Sequence, residues 1–286
     1  MNLSKHVKRF LSATAVALGV FCVVLGVHET RWFEIVELKA LDHLIRGHAN
    51  PKQAHPDIVL VAIDESSLDA FGRWPWPRDR HGYIVRFLKQ AGAKAVVFDV
   101  MFFEPDENAI EFDESFAQDV KAAGNVFLPL HFQGPKETVS TEYLAKARIA
   151  VEGDLSRAGG MLGPDLGLKL PLAGLAEGAR GLGFINLTAD SDGPTRRIPL
   201  IGRFGDAAVP HLSLAVAGNL LGIEKVVIQG DSLRVAERTV PLTPEGALLL
   251  NWHGPLEGTY PTYAVGHVLQ SFAQIEKKER PVLDPA

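Results

Sequence analysis

With 286 residues the chain has room for one large domain or two small ones. Its 47% apolar and 22% charged residues support a packed core and give disorder no compositional basis. A formal net charge of −5 offers no footprint for a polyanion, so nucleic acid is not an expected partner. The one cysteine, Cys22, sits in the apolar N-terminal run. The remainder therefore has no thiol for a disulfide, a zinc cluster or thiol catalysis, as suits an exported domain and equally a cytoplasmic one.

Lys5, Lys8 and Arg9 mark residues 1–9 as a basic N-terminus, and residues 10–27 then carry no charge over 18 positions. At the helical rise that run spans roughly 27 Å, about the hydrocarbon thickness of a bilayer. The expectation is a transmembrane signal anchor with its N-terminus in the cytoplasm. Residues 28–286 would then lie outside a bacterial inner membrane crossed once. A cleaved signal peptide competes, but the run ends in Leu25-Gly26-Val27-His28 rather than a small-x-small site. Phe21 makes Cys22 a poor lipoprotein acceptor.

Residues 29–47 read as a juxtamembrane amphipathic helix. Phe33, Val36, Ala40, Leu41, Leu44 and Ile45 share a face, away from Glu34, Lys39 and Asp42. Phe33, Val36, Leu41 and Leu44 are the candidate contacts of a homodimer. Asn50-Pro51 through Pro56 is a linker.

The chain is organised around residues 57–106. A β-branched run over 58–63 stops at Asp64 and Glu65, and a Gly/Trp/Pro loop follows. Helical spacing at 83/84, 87/88 and 91 leads to a second apolar run over 95–100, closed by Asp99, Glu104 and Asp106. The expectation is a parallel βαβ unit with its acids on the carboxyl edge, where open α/β sheets bind ligands. A helix over 107–123 then ends at Gly124-Asn125, and a third strand covers 126–130. Residues 133–170 read as a variable insertion with a short helix over 142–150. An Asp190-Ser191-Asp192-Gly193 turn predicts a hairpin over 182–204. A helix over 209–221, strands at 225–229, 232–240 and 247–252, and a helix over 262–273 complete the chain.

Asp64, Glu65 and Asp99 are the right ligands for a hard cation, and Asp64 with Asp99 is the one candidate metal pair. Their plainer reading, which is preferred, is helix capping or pairing with Arg73, Arg78 or Arg80. In Trp74-Pro75-Trp76-Pro77 two prolines stiffen a loop whose indoles close the core or display themselves to a ligand, partner or lipid surface. His81, at a helix start, reads as solvated or capping. Asp190, Asp192 and Gly193 lack the spacing of a calcium loop and read as a turn paired with Arg196. Arg196 and Arg197 are alternatively suited to grip an anion. No nucleophile elbow, Walker A, dinucleotide or zinc-protease motif is present, so no catalytic residue and no cofactor is expected. A metal-assisted hydrolase using Asp64 and Asp99 is the second reading, and an envelope structural protein the third.

Several stretches carry a family resemblance: I-D-E-S from Ile63, G-R-W-P-W-P-R from Gly72, A-G-A-K-A-V-V-F-D from Ala91 and F-E-P-D from Phe103. G-L-G-F-I-N-L-T-A-D-S-D-G-P-T-R-R from Gly181 and L-L-N-W-H-G-P from Leu249 add to it, as do Glu37, Asp42 and Arg46. Over residues 29–275 the chain resembles CHASE2 extracytoplasmic sensor domains. The resemblance implies a sensor domain over 57–275 that biases an adenylate/guanylate cyclase or a histidine or serine/threonine kinase, in answer to a small-molecule or envelope stimulus. The expected architecture is α/β: a mostly parallel sheet with flanking helices and an antiparallel β-hairpin region, behind one transmembrane helix. Candidate ligand residues are Asp64, Glu65, Arg78, His81, Asp99, Glu104, Asn186, Asp190, Asp192 and Arg196. Residues 276–286 are expected to be a tail, with the family's last strand and output domain absent.

Overall fold

The computed structural model describes residues 5–28, 31–106, 109–135, 141–155 and 166–284. The chain divides into two compact units. One comprises Met1–Ala54, Ala189–Arg196 and Asn251–Thr259, and the other comprises His55–Thr188, Arg197–Leu250 and Tyr260–Ala286.

The first unit contains helices α1 (Lys5–His28) and α2 (Arg31–His48) and a 3-10 turn, Pro51–Gln53, capped by the Asn50 side chain. Among the described residues no helix is long and apolar enough to cross a membrane. That overturns the transmembrane helix expected over 10–27. Absence of charge was the basis of that expectation, whereas a crossing needs sustained hydropathy. The described part of α1 includes the small or hydroxyl-bearing Ser12, Ala13, Thr14, Ala15, Ala17 and Gly19. On α2, Leu38 is buried and Leu41, Asp42 and Ile45 are half-buried along the same side. Trp32, Val36, Ala40 and Leu44, four residues apart, form an exposed stripe.

The second unit is α/β with mixed sheets rather than one mostly parallel sheet. Strand β1 (Leu60–Ala62) leads to α3 (Glu65–Phe71), the Trp/Pro loop, α4 (Arg78–Gln90) and β2 (Val96–Val97). Helix α5 (Ile110–Ala123) and the long β3 (Val126–Pro135) follow. The first half of β3 lies between β2 and β6 (Gly181–Phe184), parallel to both. Its second half pairs antiparallel with β5 (Leu166–Lys169), across a register shift between Phe132 and Pro135. The expected β1–α4–β2 unit does not close as a pair. Instead β1 runs parallel to β14 (Thr262–Ala264), with Leu60 opposite Thr262. Within the expected insertion, residues 136–140 and 156–165 lie outside the described residues. The rest supplies α6 (Thr141–Lys146), β4 (Ala150–Glu152) and β5, and Leu168 of β5 is a core residue.

The hairpin expected over 182–204 is also corrected. β6 pairs with β3, whereas β7 (Arg197–Pro199) pairs antiparallel with β13 (Ala247–Leu249). The tight hairpin lies one step later, between β8 (Ile201–Phe204) and β9 (Ala207–Pro210). Helix α7 (Ala173–Gly178) precedes β6, and helix α8 (Leu212–Leu220) follows β9. A meander of β10 (Lys225–Gln229), β11 (Ser232–Val235) and β12 (Arg238–Pro241) adds β4 on its far side, parallel to β10. Helix α9 (Val265–Glu276) completes the unit.

Three apolar clusters hold these layers. The largest joins Val85, Phe98, Phe102, Phe116, Val120 and the buried β3 side chains. A second lies under the meander around Val226, Ile228 and Leu233. The third packs Trp76, Ile84 and Phe87 against Val265, Val268, Leu269 and Phe272 of α9. Removing the Phe116 ring, which is fully buried, would cost about 3–5 kcal/mol.

Candidate functional site

Two of the expected residues, Arg78 and Glu104, meet in the second unit. Pro77 starts α4 without a side-chain cap, and the orphan N–H of Arg78 donates to Asp106 Oδ2 at 3.1 Å. The Arg78 guanidinium donates to the Glu104 carbonyl at 3.2 Å and lies 4.9 Å from the centre of the Phe102 ring. Its Nε is 3.3 Å from Asp113 Oδ1, but the two are too poorly aligned to hydrogen-bond. Asp113 Oδ2 accepts from the Asp106 N–H at 2.7 Å. The F-E-P-D stretch is thus a cap for α4, with the Glu104 carboxylate turned out to Lys169 at 3.0 Å.

His81 is not the solvated histidine expected at a helix start. It is 1% exposed, with its ring 5.1–6.2 Å from those of Trp74, Phe98, Phe102 and Phe116. Neither ring nitrogen has a hydrogen-bond partner. Burial, followed by the Arg78 charge, holds its pKa down at about 4. The Trp/Pro loop closes over this region as the plainer reading had it. Trp76 is buried and donates to the Gly72 carbonyl at 2.7 Å, while Trp74 remains part-exposed.

The acids of the expected carboxyl edge part company. Asp64 caps α3, accepting from the Ser67 N–H at 2.9 Å and from the hydroxyls of Ser66 and Ser67. Those bonds, the Ser67 hydroxyl first, hold its carboxyl below the usual range. Glu65 is exposed in the first turn. Asp99 is exposed after β2, and its charge acts on His211, whose pKa burial nonetheless lowers to about 4. His211 in turn caps α8, its Nδ1 accepting from the Ser213 N–H and hydroxyl. Among the described residues no group of three His, Cys, Asp or Glu side chains is arranged to hold a metal ion. The preferred reading of Asp64 as a cap describes what the structure shows.

Ser67 links that cap onward. It is 1% exposed, and its hydroxyl accepts from the Gly266 N–H at 2.9 Å, at the start of α9. Ser67→Ala should cost about 1–3 kcal/mol, because it strands a buried N–H. Urea denaturation would check this, and an unchanged midpoint would show that the link is idle. Asn186, after β6, is likewise spent on the backbone. Its amide donates to the Phe132 carbonyl at 2.9 Å and to His131, and its oxygen accepts from the Phe132 N–H at 2.8 Å.

The remaining expected residues meet in the first unit, around Arg196. The turn is tied by the Gly193 N–H to the Asp190 carbonyl, with Gly193 at a φ of 103° that favours glycine. Arg196 Nη1 donates to Asp190 Oδ2 at 2.9 Å and Asp192 Oδ1 at 2.8 Å, and Nη2 to Asp192 Oδ2 at 2.9 Å. Its Nε donates to Asp42 Oδ1 of α2 at 2.7 Å. Lys39, one turn before Asp42, reaches Asp192 Oδ2 at 3.0 Å. Arg196 is 1% exposed. Its hydrogen bonds hold the carboxyls of Asp42 and Asp192 below their usual range. An Arg196 whose three nitrogens all donate to carboxylates of the chain is not disposed to grip an anion.

Sequence reasoning missed Asp113, Ser67, His131 and His211 and gave Asp42 no partner. A signal existed for Asp42, since the helical repeat places it four residues after Leu38 and beside Leu41 and Ile45, where an acid interrupts an apolar side.

No curated protein and no solved structure matches the chain. A model of the CHASE2 domain family matches residues 17–283, nearly the whole length and further at both ends than the motifs alone reach. The chain belongs to the CHASE2 family of sensory domains.

Proposed function

We propose that the chain is the extracytoplasmic, stimulus-receiving part of a membrane signalling protein, and that it biases an adenylate/guanylate cyclase or a kinase through α2. The observation that carries this is the division of Arg196 between Asp42 on α2 and the acidic turn at Asp190 and Asp192. Whatever moves the turn must move the helix or break buried ionic hydrogen bonds. A signal passes only if the stimulus distinguishes two such arrangements.

The output side is a homodimer through the stripe on α2. Trp32, Val36 and Leu44 are 80%, 64% and 57% exposed, an apolar line that a two-fold pairing lays against itself. Of the four contacts expected, Val36 and Leu44 belong to that line, whereas Phe33 and Leu41 are half-buried. Cysteines placed at Val36 or Leu44, with Cys22→Ser, should give disulfide-linked dimers at neutral pH. Arg196→Met should shift the cross-linking pattern along the helix. A yield no higher than from cysteine at exposed Lys52 would sink the dimer, and a pattern indifferent to Arg196→Met would sink the coupling.

A further inference from the structure

The seam between α4 and α5 is built from charges already matched. Arg78 faces Asp113, and Arg86 Nε donates to Asp119 Oδ1 at 2.7 Å. Between these pairs the helices approach closely, since a Cβ on Gly82 would clash with the Asp119 carboxylate. His81 occupies the same stretch, packed on Phe116 of α5.

A proton arriving on His81 would meet no carboxylate bonded to its ring: the two unbonded carboxylate oxygens at the seam, Asp113 Oδ1 and Asp119 Oδ2, belong to acids already paired with Arg78 and Arg86. On its own helix it faces Arg78 and Arg80, both positive, and the positive end of the helix dipole. Asp79, also on α4, accepts from the Arg80 N–H. Across from it, Asp106 already accepts from the Arg78 N–H and Asp113 from the Asp106 N–H. The Pro77 carbonyl favours the proton but is not aligned to accept it. The rings packed on it are those of Trp74, Phe98, Phe102 and Phe116. Ring faces attract a cation, yet they replace neither the water nor the two hydrogen bonds that a protonated imidazole requires.

We propose that His81 is a proton-operated latch: neutral, it closes the α4–α5 seam, and proton uptake opens that seam and frees the Trp74 loop above it. The latch supplies a stimulus, acidity, to the sensor reading and takes its biological sense from it. The cross-linking test of that reading is run at neutral pH, so the two fail separately. The sign follows from the direction of the shift. Exposed in the opened seam, His81 would titrate near its ordinary 6.5, and in the closed seam only near 4. Closure is therefore complete above pH 6.5 and is lost as pH falls toward 4. That difference shifts the open–closed ratio by up to about 300-fold.

The experiment follows tryptophan emission and amide exchange of the full chain from pH 7.5 to 4, beside His81→Phe, whose ring suits the aromatic box and cannot titrate. His211→Gln serves as control, because the half-buried His211 also has its pKa lowered to about 4. The expected result is an acid transition with faster exchange in α4 and α5, moved down by a pH unit or more in His81→Phe and kept in His211→Gln. A transition at the same pH in wild type and His81→Phe would overturn the latch. Should His81→Phe not fold, the wild-type imidazole resonances decide: a His81 ring titrating at 6.5 or above overturns the proposal, and one titrating well below it upholds the proposal.

Discussion

Arg196→Met should lower the stability of the first unit by about 3 kcal/mol, since it removes the one donor shared by three carboxylates. Asp42, Asp190 and Asp192 would be left with Lys39, which reaches Asp192 at 3.0 Å and Asp42 at 3.8 Å. Arg196→Lys should recover only part of the loss. An ammonium is a point charge and lacks the planar fork that serves acids on two sides at once. The pH dependence carries a sign. Asp42 and Asp192 are held below the ordinary carboxylate range, so their contribution is complete above about pH 4 and lost as pH falls below it. The gap between wild type and Arg196→Met should therefore be equal at pH 6 and pH 8 and narrow in strong acid. Thermal denaturation with amide exchange of α2 would read both effects. Equal midpoints at pH 7 would mean that the cage is decoration and that α2 is held otherwise.

The parts of this arrangement that are local in sequence were legible. Asp64 followed by Ser66 and Ser67 is a capping pattern, and Asp190 to Gly193 is a turn whatever surrounds it. The pairing of that turn with Arg196 needed only a span of six residues. What joins distant stretches was not legible. Asp42 lies 154 residues from Arg196, and nothing in an amphipathic helix says which of its acids is answered from so far away. The partner of β1 is about 200 residues downstream, so the expected neighbour β2 was a guess from order rather than chemistry. The 182–204 hairpin failed for a related reason. A true turn separates two apolar runs, but each had a better partner elsewhere, β3 for one and β13 for the other. His81 misled because histidine at a helix start is ordinarily wet. Its environment depends on Phe98 and Phe102 after β2 and Phe116 of α5 converging on it from two separate stretches of the chain.

Gly183→Ala should be among the most damaging single-methyl changes in the chain, with a cost on the order of 3 kcal/mol. Nothing about its own backbone demands glycine, for it is not among the positive-φ positions. The demand comes from a neighbour. A Cβ at 183 would fall 2.5 Å from Leu212 Cα, 2.7 Å from Leu212 N and 3.0 Å from the His211 carbonyl carbon. All three are backbone atoms where α8 starts, so no side-chain rotation can make room. Relief requires lifting α8 off β6, which breaks the bridge between Phe184 and His211 and unseats the His211 cap. Gly181→Ala, two residues earlier on the same strand, is the control, because its new Cβ would meet the Phe127 ring at 3.0 Å. A ring can tilt by a few tenths of an ångström, whereas a helix start held on both sides cannot. Urea midpoints should therefore fall further for Gly183→Ala than for Gly181→Ala. The reverse order would mean that α8 rides loosely on the sheet, and His211 could then no longer be regarded as a half-buried, fixed cap of α8.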